Sequence, residues 1–154
     1  LGARIDDPSG IESPPGSTIE ALGFLPVATR LFPEKILKRV EARHIPSGLG
    51  LYGYEIHHGL TGGGHLNPSI QTDEGDVIGL TAENGRIWGT YLHGLFDADA
   101  FRRWWIDRLR IERGWKACGR IRAAYDLEPA FERLAATVRE NVDMKAIYKI
   151  MGLL

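Results

Sequence analysis

The dipeptide Asn84-Gly85 constrains the fold of this chain more than any other pair of residues in it. A two-residue type I′ turn needs positive φ at both central positions, which Asn and Gly tolerate. The pair sits between two β-prone runs, Val77 to Ala82 and Arg86 to Leu92. Centred on Glu83-Asn84-Gly85, the pattern predicts an antiparallel hairpin. Its second strand leads into residues 89 to 96, GTYLHGLF, where His93 ends an apolar run flanked by glycines. Tyr91, Leu92, Leu95 and Phe96 suit a buried strand, whereas Gly89 and Gly94 remove side chains where the backbone must turn or admit a close neighbour. A titratable ring in that position reads either as a catalytic base or as a core histidine hydrogen-bonded to backbone.

Upstream, residues 6 to 18 carry three prolines and two glycines and read as loop. Leu22 to Thr29 and Arg39 to His44 read as short strands joined through Pro33, and Pro46 to Gly50 as a turn. Residues 51 to 59, LYGYEIHHG, form a strand in which Tyr52, Tyr54, Ile56 and His58 share one face and Gly53, Glu55 and His57 the other. The Gly- and Pro-rich residues 60 to 69 are expected as a surface loop.

Downstream, Asp97 is expected to cap a helix over 98 to 113, with Phe101, Trp104, Trp105, Leu109 and Ile111 making apolar contacts and Gly114 ending it. A last helix begins near Pro129 and repeats Phe131, Leu134, Ala135, Val138 and Val142. Ile147, Ile150 and Met151 extend that face after a break near Asp143. Strands and helices mixed in this way predict a single α/β domain over residues 1–154.

Nineteen basic and twenty acidic residues leave a net charge of -1, without the electrostatic footprint that nucleic acid or an anionic lipid surface requires. Arg102, Arg103, Arg108, Arg110 and Arg113 crowd one segment, but Asp97, Asp99, Asp107 and Glu112 alternate with them as on a solvated helix face. No run approaches the roughly 20 apolar residues of a spanning helix, and the opening residues lack a secretory pattern, so the cytoplasm is the expected compartment. A single cysteine, Cys118, excludes a disulfide framework. The chain opens on Leu1, and Leu1-Gly2 reads as the tail of an element already under way, so a fragment is expected.

The chemistry-bearing residues are few. His57, His58 and His65 lack a second spaced ligand pair, and neighbouring strand histidines point to opposite faces, so no metal site is expected. Glu55 and His57, two apart, stand side by side, where each can hold the other's charge state or simply form a surface pair. Cys118 follows a helix C-terminus, whose negative dipole end disfavours a thiolate, and reads as inert.

The stretches GYEIHHGLT at 53 to 61 and GRIWGTYLHGLFDADAFRR at 85 to 103 resemble the paired signatures of the glutamine amidotransferase domain of the cobyric acid synthase family. RIDDPSGIES, LGFLPVATRL and RLAATVRENVDMKAIYKIMG extend the likeness over essentially the whole chain. The related cobyrinic acid diamide synthases carry a weaker version of the second signature.

The resemblance implies the C-terminal portion of a class I, flavodoxin-like domain, α/β with a mixed sheet flanked by helices. It makes His93 the active-site histidine and places the glutamine-attacking cysteine before Leu1, on a segment absent here. It also implies L-glutamine as substrate, and ATP, Mg2+ and a corrinoid acceptor at an upstream synthetase domain, with no cofactor on this chain. Many class I relatives orient that histidine with a glutamate two residues later, where this sequence has Leu95. Glu55 and Asp97 are then the candidate orienters, with His57 in support. A ligase with another acceptor, such as cobyrinic acid or a cell-wall lipid intermediate, and a silent binding module of the same fold are the alternatives.

Overall fold

The computed structural model describes residues 1–82 and 85–154 and separates into two compact units, Leu1–Ile121 and Arg122–Leu154. The expected turn at Glu83-Asn84 lies outside the described residues.

Among its described residues the first unit carries eight strands and one α-helix: β1 (Arg4–Asp7), β2 (Ser17–Glu20), β3 (Ala28–His44), β4 (Leu49–Gly62), β5 (Asn67–Thr72), β6 (Val77–Thr81), β7 (Trp88–Thr90), β8 (Leu92–His93) and α1 (Asp99–Glu112). They form a mixed sheet in the order β2-β1-β3-β5-β6-β7, with β4 pairing β3 and β8. Only β1 and β3 run parallel among the described pairs. The architecture is α/β, as expected.

Several elements differ from the sequence reading, each for a local reason. Of the strand expected over Leu22 to Thr29 only Ala28 and Thr29 are extended in the sheet, and they join the one expected over Arg39 to His44 in a single long β3, whose register against β4 shifts between Leu31 and Ile36, so an irregularity absorbs Pro33. Residues 60 to 69 are not one loop. β4 runs on to Gly62 and β5 starts at Asn67, with Pro68 beside a register shift where its missing N–H breaks no regular ladder. Within the expected loop 6 to 18, Asp7 closes β1 and Ser17 opens β2. Between them the buried Asp7 carboxylate accepts the backbone N–H groups of Ile11, Glu12 and Ser13, each at 2.9 Å, and the Ser13 hydroxyl at 3.0 Å. Burial raises the Asp7 carboxyl, but these donors outweigh it and hold it well below the usual carboxylate range.

The expected hairpin is present: β6 pairs β7 antiparallel with Thr81 opposite Trp88 and Gly79 opposite Thr90. Its second strand does not continue to His93, however. After Tyr91, whose N–H still reaches the Ile78 carbonyl, the chain leaves β6, and Leu92–His93 pairs with β4 instead.

The core gathers Val40, Ala42, Leu51, Ile70, Ile78, Leu92, Leu95, Ala98 and Phe101, against which Trp88, Trp104 and Trp105 pack. α1 starts at Asp99 with Ala98 at the N-cap position and no side-chain cap. Asp97 therefore does not cap it, because Leu95–Asp97 forms a 3-10 turn that occupies the approach. Phe101, fully buried, leads the inner stripe with Trp104 and Trp105, while Leu109 and Ile111 are exposed, contrary to expectation. Buried His44 lies edge-on to Phe101 and bonds Ser47 Oγ through Nδ1 at 2.7 Å. Gly114, at φ 77°, ends the helix as expected.

The second unit holds α2 (Glu128–Asn141), with its proline in the first turn, and α3 (Met144–Ile150), whose N-cap Asp143 accepts the Ala146 N–H at 3.0 Å. No helix among the described residues is long and apolar enough to cross a membrane.

Candidate active site

β4 is the strand on which the site is built. Its side chains alternate as its sequence requires, with Leu51, Glu55 and Gly59 buried and Tyr52, Tyr54, Ile56 and Leu60 exposed. β8 lies antiparallel beside it, with Tyr54 opposite His93 and Glu55 opposite Leu92. Directly opposed residues of an antiparallel pair project to the same face. His93 therefore shares the exposed face of Tyr52 and Tyr54, and Glu55 shares the buried face of Leu92. The His93 ring is exposed and makes no hydrogen bond among the described residues, which removes the core-histidine reading.

Glycine is required for this approach. A Cβ on Gly53 would lie 1.9 Å from the His93 carbonyl oxygen, so only a residue without a side chain lets β8 reach β4. Past His93 the chain turns at Gly94, φ 77°, into the 3-10 turn, and the Tyr52 hydroxyl donates to the Asp97 carbonyl oxygen at 2.7 Å. The Asp97 carboxylate lies against Gly94: its Oδ2 would stand 3.0 Å from a Cβ there.

On the other face, Glu55 Oε1 and His57 Nε2 are 2.8 Å apart, with side chains 6% and 9% exposed. His57 Nδ1 is 2.6 Å from the Gly59 carbonyl oxygen, an acceptor only, so Nδ1 carries the proton and Nε2 shares one with Glu55. Glu55 Oε2 is buried without a hydrogen bond among the described residues, and Lys38 Nζ stands 3.5 Å away. The His57 ring stacks on Tyr91, centroids 3.7 Å apart at 15°. The Tyr91 hydroxyl bonds Thr61 Oγ1, which in turn meets Thr29 Oγ1 at 2.7 Å. Thr29, Thr61 and Tyr91 open on a cavity of about 270 Å³ that is otherwise mostly apolar.

Glu55 and His57 are thus brought together, but away from the His93 ring, and Asp97 stands on the near side. His58 turns to the Phe32 carbonyl, opposite His57, as the pleat dictates. Among the described residues no group of three or more His, Cys, Asp or Glu is arranged to hold a metal ion. Cys118 does not approach His93. The chain folds back after α1, and the Cys118 and Gly119 N–H groups donate to Asp107 at 2.7 and 2.8 Å. The Cys118 N–H foremost, then Gly119 and Arg103, hold the Asp107 carboxyl low against the opposing effect of burial. Asp107 lies eight residues into α1, about 12 Å along the axis from its start. Tyr91 and Thr61 carried no signal in the sequence beyond their place in β-prone runs, since only the tertiary crossover brings them to His57.

Residues 1–101 match the profile of the CobB/CobQ-like glutamine amidotransferase domain. The cobyric acid synthase of Nitratidesulfovibrio vulgaris is 40% identical, the match covering 99% of this chain and 34% of that protein. The adenosylcobalamin biosynthesis bifunctional protein CobDQ of Leptospira interrogans is 42% identical, covering 99% and 18%. A cobyric acid synthase of Rhodobacter capsulatus is 42% identical, covering 96% and 29%. The chain spans about a third or less of the length of these relatives.

Proposed function

Because the chain belongs to the CobB/CobQ-like glutamine amidotransferase domain family, we propose that it supplies the proton-transferring half of a glutaminase site within a longer cobyric acid synthase. There, ammonia released from L-glutamine amidates side-chain carboxylates of a cobyrinic acid diamide in the cytoplasm, as a step of cobalamin biosynthesis. The observation that carries the reading is the exposed His93 imidazole, delivered by β8 to an open face where nothing described consumes its hydrogen-bonding capacity.

A carboxamide is a weak electrophile, so hydrolysis proceeds through a thiolate that attacks the glutamine Cδ. His93 takes the thiol proton and passes it to the departing nitrogen, giving ammonia and a glutamyl thioester. Water, deprotonated by the same imidazole, then releases glutamate and restores the thiol. The thiol comes from a segment outside these 154 residues, since Cys118 is tied to the middle of α1. Of the carboxylates considered as orienters, Asp97 lies on the side of His93, and Glu55 acts at one remove through its own strand. We assign ATP-dependent activation of the acceptor, with its Mg2+, and corrinoid binding to the rest of the longer protein, as the family resemblance implies.

The test is His93→Ala in the full-length protein. Glutamine-dependent amidation should vanish while amidation driven by external ammonia persists, with melting unchanged. Equal loss of both rates would assign His93 to the fold or to the synthetase step. With Asp97→Asn and Glu55→Gln alongside, Asp97 should be the more damaging for glutamine turnover if it orients the ring directly.

A further inference from the structure

We infer that Tyr91 is a positioning residue for His93, and that the buried Glu55–His57 pair serves to clamp it. The inference rests on the reading of His93 as the proton-transferring imidazole. It starts from the break in the hairpin, because β7 and β8 are consecutive in sequence yet belong to different neighbours. Up to Tyr91 the chain is attached to β6: the Tyr91 N–H donates to the Ile78 carbonyl at 3.1 Å, and the Thr90 hydroxyl donates to that same carbonyl at 2.7 Å. From Leu92 onward it is attached to β4. Tyr91 is the residue at which the chain passes from one strand to the other.

A crossover of this kind has no regular ladder to define it, and the ladder that follows is only two residues long. Side chains fix it instead. The Tyr91 ring lies flat on His57, and His57 cannot rotate away, because Glu55 Oε1 and the Gly59 carbonyl hold both of its ring nitrogens. The far end of the phenol is tied through Thr61 to Thr29, on the neighbouring strands β4 and β3. The ring is therefore gripped on its face and at its hydroxyl by groups that belong to strands other than its own. His93 lies two residues further on, with no hydrogen-bond partner for its ring among the described residues, so the position of its imidazole depends on where Tyr91 places the backbone.

This gives the buried Glu55–His57 pair a purpose that a surface ion pair would not have. Its two side chains are on the opposite face of β4 from His93 and cannot reach the reacting atoms. What they can reach is Tyr91. Outer-shell partners of this type typically change activity by about 10- to 100-fold when lost, and they do so in turnover, because substrate binding is not what they hold.

The experiment uses the full-length protein with Tyr91→Leu, Tyr91→Phe and His57→Gln, and His93→Ala as reference. It reads kcat and KM for glutamine, the ammonia-driven rate and Tm. Tyr91→Leu should lower the glutamine-dependent kcat by about 10- to 100-fold with KM and the ammonia-driven rate unchanged. Tyr91→Phe keeps the stacked face and should restore most of kcat. His57→Gln removes the other half of the stack and should reproduce the loss even if Tyr91→Leu does not fold. Wild-type kcat in folded Tyr91→Leu or His57→Gln, or parallel loss of both rates with Tm, overturns the clamp. A glutamine-dependent rate that survives His93→Ala overturns the reading of His93, and the clamp falls with it.

Discussion

A methyl group at residue 53 tests how β8 is held against β4. The Cβ that Gly53→Ala adds falls 1.9 Å from the His93 carbonyl oxygen and 3.1 Å from Leu92 Cδ1. To restore even 3.0 Å, β8 must move by about 1.1 Å, which is 3.0 minus 1.9. The obstacle is backbone, so no change of rotamer relieves it. Both register pairs of β8 are strained by the shift, and Leu92, 4% exposed, is displaced with them. Overpacking of this kind costs about 1–3 kcal/mol. At roughly 2–4 °C of Tm per kcal/mol for a chain of this length, melting should fall by about 2–12 °C. A displacement of about 1 Å is also enough to slow a positioned group's reaction by roughly 100-fold. Gly50→Ala is the control, because its Cβ meets nothing within 4 Å in the same strand, and it should stay within about 0.5 kcal/mol of the parent. Melting is followed by circular dichroism, and glutamine-dependent against ammonia-driven amidation is measured in the full-length protein. If Gly53→Ala matches Gly50→Ala in both Tm and glutamine-dependent rate, the close approach of β8 does not hold His93 in place.

Two further outcomes follow from groups away from His93. Burial first, and the nearby Arg108 guanidinium second, push the His44 imidazole down from 6.5 to about 4. The unfolded chain then takes up the proton more readily, so stability is fully present above about pH 6.5 and declines as pH falls towards 4; urea midpoints across that window should flatten in His44→Gln, and an unchanged slope would contradict the assignment. Cys118→Ser should leave the glutamine-dependent rate of the full-length protein unchanged, because Asp107 is bonded by the Cys118 backbone N–H and that group survives the substitution; loss of turnover would make Cys118 the nucleophile.

The parts of the fold that the sequence made legible are those set by neighbours in the chain. Val77 to Thr81 and Trp88 to Thr90 pair as a hairpin because their spacing and β-prone composition demand it. Pro129 opens α2, and the break expected near Asp143 falls at that residue, because both effects act within one helical turn. What was not legible depends on partners far away in sequence. Arg86 to Leu92 read as one strand leading straight to His93, and nothing local shows that β4 claims Leu92 and His93 while β6 keeps Trp88 to Thr90. β5 was hidden by Pro68 and the preceding glycines, since a register shift that accommodates proline is a property of the pair, not of the strand. The alternation along Leu51 to Gly59 correctly separated Glu55 and His57 from Tyr52 and Tyr54. It could not say which face His93 would join, because that is settled only by the two-residue register of β8.

That register also bears on how the protein would lose its activity. A two-residue strand contributes few backbone hydrogen bonds of its own, so the free energy needed to detach it locally is well below that of unfolding the sheet. Segments held in this way open and close many times for each global unfolding event. If His93 transfers the proton as proposed, that step depends on a two-residue strand anchored by an aromatic ring and a glycine. Warming or mild denaturant is then expected to draw His93 out of register while Phe101 and Ile70 remain packed, so that loss of the proposed activity should precede loss of fold.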